Sequence, residues 1–466
     1  MEHIRPLGTF EHFRATLHDL GFHYNVALSG RYESEDKFLG PKTLYEAVRS
    51  LLTKHPALNV TIRESPDGHP GFVRLPDVNL DNVVRYRHEA RYDQDRDKIL
   101  DSVLTEENST GFDMESNNPL WRIVVVYNEH TSSPDLIQAP KAADIIFIWH
   151  HAIGDGHSGL FILYDMLDIL NSPSPAKSVP ISNTNTVIAP ALETLLKMPS
   201  SIQSRVRRLS TSIFGDWTVE PATKKWSGSD YQADPPIKTS IQHIRVPHAS
   251  VAGLAARCRT EHVSITALMQ TIVRDVLFTT FSDADDLRCA TAISLRRFMN
   301  EPEYQVDAGV MGMWVSAFHI EYPRRGGVGH STRNFSWDDA RKNKARIERE
   351  VAKGDTDVET GALRAIKDFK ATLMAKLGNQ RQDSFAVTNL GVVPSLSATS
   401  SSWKLTDVVF SQSCHVNGSA IQFCIISTEG GDMVVSLSSQ QGIVPQDDLN
   451  IIAEDLQKRL VALGGT

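Results

Sequence analysis

Apolar positions recur along the chain with two periods, and the switches between them predict the elements. Residues 10–20 repeat apolar side chains at helical spacing, with Thr9 placed to cap the first turn. Residues 24–32 read as a strand. Pro41 opens a helix in which Leu44, Val48, Leu51 and Leu52 share one face, and the helix ends before Pro56. Short strands are expected at 58–63 and 71–75, and a fully buried one at 121–127. A polar loop over 128–144 joins that strand to a second apolar run, Ile145-Ile146-Phe147-Ile148-Trp149, which ends in His150 and His151. Gly154 and Gly156 break the strand. Leu160, Leu163, Tyr164, Leu167 and Leu170 then mark one face of a helix over 158–170 that Pro173 stops.

The texture changes over 171–234. Pro173, Pro175, Pro180, Pro190 and Pro199 fall among Ser, Thr and Asn, with one amphipathic stretch at 191–196. Such a segment is too long for plain coil, so part of it should be helical. Patterned sequence resumes with a strand at 241–246 and a helix at 265–281 capped by Ser264. Strands at 287–295 and 312–322 follow, then a Gly- and Arg-rich loop at 324–330, expected to be exposed. Helices are predicted at 337–351 and 359–377, strands at 385–388, 405–411, 420–427 and 433–437, and a last helix at 446–463. The order mixes helices and strands without regular alternation, which predicts α+β-like layers around mixed sheets. The expected division is 1–170, a crossover at 171–236, and 237–466.

Composition narrows the function classes. A length of 466 residues fits about two or three domains, and 41% hydrophobic with 22% charged residues is ordinary for a globular protein. A net charge of −8 argues against nucleic acid as the main partner. No apolar run approaches the roughly 20 residues that span a bilayer, and the first residues carry no secretory h-region. Four cysteines without C-x-x-C spacing predict core thiols in a reducing, cytoplasmic setting.

The candidate chemistry sits where the 145–149 strand ends. A strand alternates its faces, so His150 and His151 point opposite ways, and His151 is the one expected to face a cavity. Asp155 suits a helix N-cap. Gly156 permits close approach of a ligand or a facing strand.

The run His150-His151-Ala152-Ile153-Gly154-Asp155-Gly156 fits the pattern HHxxxDG. It resembles the superfamily of CoA-dependent acyltransferases and peptide-synthetase condensation domains. More of the chain resembles that superfamily's fungal alcohol acetyltransferase branch. Arg5-Pro6-Leu7-Gly8 with Glu11 is similar to its opening, and the run Leu51-Leu52-Thr53-Lys54-His55-Pro56-Ala57-Leu58 to its hPxL segment. Phe112-Asp113-Met114 with Pro119-Leu120-Trp121-Arg122 resembles its approach to the active-site strand, and Thr388-Asn389-Leu390-Gly391 its Asn-x-Gly motif. Ser294-Leu295-Arg296 falls where such enzymes carry an Asp-x-Arg-like motif, with Ser294 in place of the acid. The Asp-Phe-Gly-Trp-Gly of plant relatives is absent.

The resemblance implies an α/β, α+β-like fold of two similar chloramphenicol-acetyltransferase-like domains with mixed sheets. Their interface would hold an active-site tunnel that donor and acceptor enter from opposite faces. It implies an O-acyltransferase moving acetyl from acetyl-CoA to a small alcohol or secondary metabolite by direct attack, with no metal. His151 is then the general base, whose ordinary pKa of about 6.5 leaves it largely neutral near pH 7. Asp155 would pair with Arg296, with Arg297 the competitor, and His150 would be structural. Asn389 is the first candidate to serve the oxyanion, or else to position its strand, with a simple Asn-x-Gly turn as the plainer alternative. Thr388 and Ser316 are weaker candidates. Gly156, Gly312 and Ser316 would border the donor channel, and Arg324, Arg325, Lys342 and Lys344 are candidates for CoA phosphates or for a plain solvated face. A cavity between domains of one chain requires no second copy, so a monomer is expected.

Other readings stay open at this point. One is condensation or cyclisation from a carrier-bound thioester on the same fold. Another is a metal-dependent hydrolase using His150, His151, Asp155 and His157, disfavoured by the alternation of the two histidines. A non-catalytic binding protein is the last.

Overall fold

The computed structural model describes residues 2–128, 140–172, 188–201, 224–233, 237–299, 309–324, 335–394 and 403–465. The first half contributes β1 (Glu2–Pro6), β2 (Asn25–Ser34), β3 (Val60–Glu64), β4 (Pro70–Arg74), β5 (Val84–Glu89), β6 (Trp121–Asn128) and β7 (Ala142–His150). The second contributes β8 (Thr239–Val246), β9 (Asp286–Ser294), β10 (Val315–Pro323), β11 (Phe385–Val393), β12 (Trp403–Gln412), β13 (Ile421–Thr428) and β14 (Met433–Gln440).

Two mixed sheets dominate. One has the order β12-β2-β7-β6-β5, and the other β10-β9-β11-β13-β14-β8. In the first only β5 and β6 run parallel; in the second β11 is parallel to both β9 and β13. A small antiparallel sheet, β1-β4-β3, flanks the first half. β7 is central in its sheet and its residues from Ala143 to His150 are buried, which is why its sequence is a continuous apolar run rather than an alternating one.

β12 crosses the linear division of the chain. Although it follows β11, it pairs antiparallel with β2, with Phe410 opposite Leu28 and Gln412 opposite Val26. The chain then returns to the second sheet as β13, so the second half lends an edge strand to the first. Charged groups reinforce this seam. Arg96 bonds Asp144 on β7 and Asp407 on β12, and Arg245 on β8 holds Asp407 at 2.8 Å and Asp97 at 2.9 Å.

The opening motif proves to be architectural. Gly8, not Thr9, is the N-cap of the helix Thr9–Asp19, because Glu11 turns back to accept the Gly8 N–H at 2.7 Å. Arg5 grips Glu11 with two bonds of 2.7 Å and reaches the Ala189 carbonyl in the crossover segment at 2.7 Å. The 191–196 stretch forms the short helix Leu192–Leu195, whose leucines pack with Leu295, Met299 and Trp314. Pro173, Pro175 and Pro180 and most of the remaining crossover lie outside the described residues.

Three other expectations change. The helix expected at 359–377 is broken into Glu359–Ala362, a 3₁₀ turn at Leu363–Ala365, and Phe369–Met374. Asp368 restarts it by accepting the Ala371 N–H at 2.8 Å. The strand expected at 312–322 begins only at Val315. Arg324 is not an exposed loop residue. Its guanidinium takes the carbonyls of Phe278 at 3.1 Å and Phe281 at 2.9 Å, capping the helix Ile265–Thr280. The rest of the 324–330 loop, Arg325 included, lies outside the described residues.

Candidate active site

The two histidines diverge as alternation requires. His150, fully buried, accepts the Ala152 N–H on Nδ1 at 2.9 Å and packs its ring 4.5 Å from that of His18. His151 lies just past the end of β7, with Nδ1 3.0 Å from the Gly154 carbonyl. A carbonyl only accepts, so Nδ1 carries the proton and Nε2 keeps the lone pair. Among the described residues Nε2 makes no hydrogen bond, and the ring lines a cavity of about 460 Å³. Trp149 Nε1 donates to the same Gly154 carbonyl at 2.9 Å, so one backbone oxygen fixes the turn and the imidazole together.

Asp155 does two jobs at once. It is the N-cap of the helix Gly156–Asn171, accepting the Ser158 N–H at 3.0 Å. It also receives Arg296 in a two-pronged pair, Nε to Oδ2 at 3.1 Å and a terminal nitrogen to Oδ1 at 2.9 Å. The pair joins the halves of the chain, and Arg296 lies over the Trp314 ring, 4.7 Å from its centroid. The Arg296 guanidinium, more than any other partner, offsets burial and holds the Asp155 carboxyl below the ordinary carboxylate range. Asp155 does not line the cavity, so its position suits support of the turn rather than proton transfer.

Gly312 belongs to this node. Its carbonyl accepts from Asp155 N at 3.1 Å, Ser158 Oγ at 3.2 Å and Arg296 at 3.1 Å. It does not line the cavity at His151, and the contacts of its carbonyl hold the Asp155 turn. Gly156 does line the cavity, and a Cβ there would lie 2.6 Å from Leu390 Cδ2 on β11, so the close approach it permits is to the facing strand.

Asn389 is also corrected. Thr388 and Ala386 face the cavity, and alternation along β11 turns Asn389 away. Its Nδ2 donates to Thr266 at 3.2 Å and its Oδ1 accepts the Gly391 N–H at 2.8 Å, the plain turn arrangement. Ser316 does line the cavity, with its hydroxyl accepting the Thr360 N–H at 3.3 Å. Lys342 and Lys344 pair with Asp339 at 3.4 Å and Glu348 at 2.6 Å along their own helix, away from the cavity.

Sequence reasoning missed the groups that complete the wall. His415, just after β12, accepts from Arg14 on Nε2 at 3.1 Å and donates from Nδ1 to Asn417 at 3.2 Å. His23 packs behind, its ring 4.7 Å from His415 and 5.5 Å from His151. Burial first, and then the Arg14 charge, push His151 down to about 3. Burial also drives His23, His150 and His415 well below the usual histidine range, so this cluster is neutral at working pH. Elsewhere on the lining the opposite holds. His319 sits 2.9 Å from Asp383 and 3.0 Å from Glu359, and the two carboxylates outweigh burial to raise it to about 9. The signal that could have found His415 is the polar series Ser411, Gln412, Ser413, His415 and Asn417 closing an apolar strand.

Because His150 and His151 serve separate surroundings and Asp155 is taken by Arg296, the ligand set imagined for a hydrolase metal does not converge.

A family model described as alcohol acetyltransferase matches residues 6–454. A probable alcohol acetyltransferase, crmB, of Aspergillus fumigatus is 26% identical, with 97% of this chain and 98% of that protein covered. Another, FCK4, of Fusarium pseudograminearum is 25% identical over 99% of this chain and 95% of its own length. Among solved structures, TRI3 trichothecene 15-O-acetyltransferase from Fusarium sporotrichioides superposes with a TM-score of 0.70 at 13% identity, covering 98% of this chain and 94% of that one. The starter condensation domain of rhizomide synthetase RzmA, in complex with C8-CoA, gives 0.63 at 13% identity, covering 100% and 95%. At those identities the structural likeness speaks for the fold, the chloramphenicol-acetyltransferase-like architecture expected from the motifs.

Proposed function

The chain belongs to the alcohol acetyltransferase family, and from that premise we propose that it moves an acetyl group from acetyl-CoA to an alcohol hydroxyl, with His151 as general base. One observation carries this reading: an imidazole with Nδ1–H anchored on the Gly154 carbonyl and Nε2 left to a cavity between the two halves.

The acceptor hydroxyl donates to Nε2 and attacks the thioester carbon as its proton moves to the ring. Burial disfavours an isolated imidazolium, so the cation is stabilised only by the oxyanion that forms in the same step. When the tetrahedral intermediate collapses, the C–S bond breaks and Nε2 returns the proton to the CoA thiolate. The products are the acetate ester and free CoA. Thr388 replaces Asn389 as the wall group offered to the oxyanion, and Ser316 lies on the same lining. Asp155, Arg296 and His150 hold the turn and move no proton.

Residues 1–170 and 237–466 act as two acyltransferase-like units joined by 171–236, with β12 lent across. The enzyme works as a monomer, since both cavity walls come from one chain. Cys258, Cys289, Cys414 and Cys424 are buried free thiols. They suit a reducing compartment, and a cytoplasmic site goes with this reading. Among the described residues no helix is long and apolar enough to cross a membrane.

The test is thiol release from acetyl-CoA with a panel of alcohols. Alcohol-dependent release supports the proposal. No release, with turnover of a carrier-bound thioester instead, would assign condensation chemistry to the same base.

A further inference from the structure

Arg14 lies on the helix Thr9–Asp19, one turn beyond Phe10, and lines the same cavity as His151 and His415. Its guanidinium carbon sits 4.9 Å from the Phe10 ring centroid, and one terminal nitrogen meets His415 Nε2 at 3.1 Å. Its Nε is buried without a hydrogen-bond partner. Among the described residues no carboxylate forms an ion pair with it. Glu359, whose field it feels, is engaged by His319.

A guanidinium keeps its charge at working pH, so it cannot escape burial by losing a proton. Arg14 is half-buried, and a partly desolvated charge without a counter-ion carries a penalty that a bound anion would relieve. Desolvation, only partly opposed by the Glu359 carboxylate, brings Arg14 down to about 10. The side chain offers a planar fork of donors, the geometry that matches a carboxylate in two bonds.

The geometry points to Arg14 as a specificity-determining residue that takes the carboxylate of a hydroxy-acid acceptor while the hydroxyl of the same molecule reaches His151. The assignment rests on the acyl-transfer reading of His151. Arg14 connects to His151 along the wall through His415 and His23, and so stands off from the carbon under attack. The phosphates of CoA lie a pantetheine arm away from the thioester and belong at a mouth, not beside these imidazoles. Phe10, Phe13, Leu363 and Phe369 give the cavity an apolar lining that suits the hydrocarbon between the two groups.

The test uses the full chain and a matched pair, 6-hydroxyhexanoate and 6-hydroxyhexanamide, titrated calorimetrically with and without acetyl-CoA. The wild type should bind the acid at least tenfold more tightly than the amide. That ratio should fall to near one in Arg14→Gln and be kept in part in Arg14→Lys, which retains the charge and guards against a folding defect. Equal affinity for acid and amide in the wild type, or an unchanged ratio in Arg14→Gln, overturns the assignment. A loss confined to acetyl-CoA affinity places the anion on CoA and overturns it too. Turnover of the same pair is read separately: an Arg14-dependent preference without acetyl transfer leaves the binding role standing and removes the transferase reading.

Discussion

Asp155 and Arg296 meet across the two halves of the chain at 2.9 and 3.1 Å, and the same carboxylate caps the helix that starts at Gly156. The helix-cap reading and the ion-pair reading of this aspartate are therefore both true. Removing one member of such a pair leaves the other buried and uncompensated, at a cost of about 3–5 kcal/mol. Asp155→Asn should lower thermal stability by several degrees and reduce turnover, because the His151 turn loses its anchor. Because the Asp155 carboxyl is depressed, its contribution is present above the ordinary carboxylate pKa and is lost as pH falls through its lowered value. Thermal melts from pH 7 to pH 3 on wild type and variant check this: the gap should narrow with acid. Wild-type stability and activity in Asp155→Asn would count against it.

His243 on β8 gives the opposite sign. It lies 2.5 Å from Asp101 and 3.2 Å from Asp97 on the helix Tyr92–Asn108, and the pair outweighs burial to raise it to about 9. A raised histidine contributes stability that is full below its ordinary value near 6.5 and fades as pH rises through about 9. Denaturant melts between pH 6.5 and 9.5 should show this loss in the wild type, and His243→Gln should flatten it. An unchanged slope in the variant would mean the seam draws nothing from this contact.

Much of this was readable in the chain. The continuous apolar run at 145–149 announced a central strand, and the motif after it placed the imidazole and its aspartate. Motif register only favours Arg296 over Arg297; the two bonds from Arg296 to Asp155 decide between them. Other features were hidden for physical reasons. β12 looks like any strand of the second half, because its pairing with β2 is long-range. The helix Tyr92–Asn108 is largely polar, with Leu100, Val103 and Leu104 as a narrow buried stripe, and its φ/ψ break at Asp95 blurs the period. Asn389 misled because a motif match carries no information about which face of β11 looks into the cavity. Arg14 and His23 read as ordinary helix and loop residues until the fold brings β12 and its following turn beside them.

Thr388 and Asn389 provide a direct contrast on one strand. Thr388→Val should lower kcat by about 10²-fold if its hydroxyl serves the oxyanion, with acetyl-CoA KM little changed. Asn389→Ala removes only a turn amide bonded to Thr266 and Gly391, and should cost stability more than rate. Steady-state kinetics with melting temperatures for both variants decide it. The reverse ranking of kcat would return the oxyanion role to Asn389.

The most direct test of the central claim is kcat for acetyl transfer by His151→Ala, measured beside its acetyl-CoA affinity and its melting temperature. The account predicts a fall of at least about 10²-fold in rate, with donor binding and folding close to wild type. Turnover at the wild-type rate in a folded variant would contradict it.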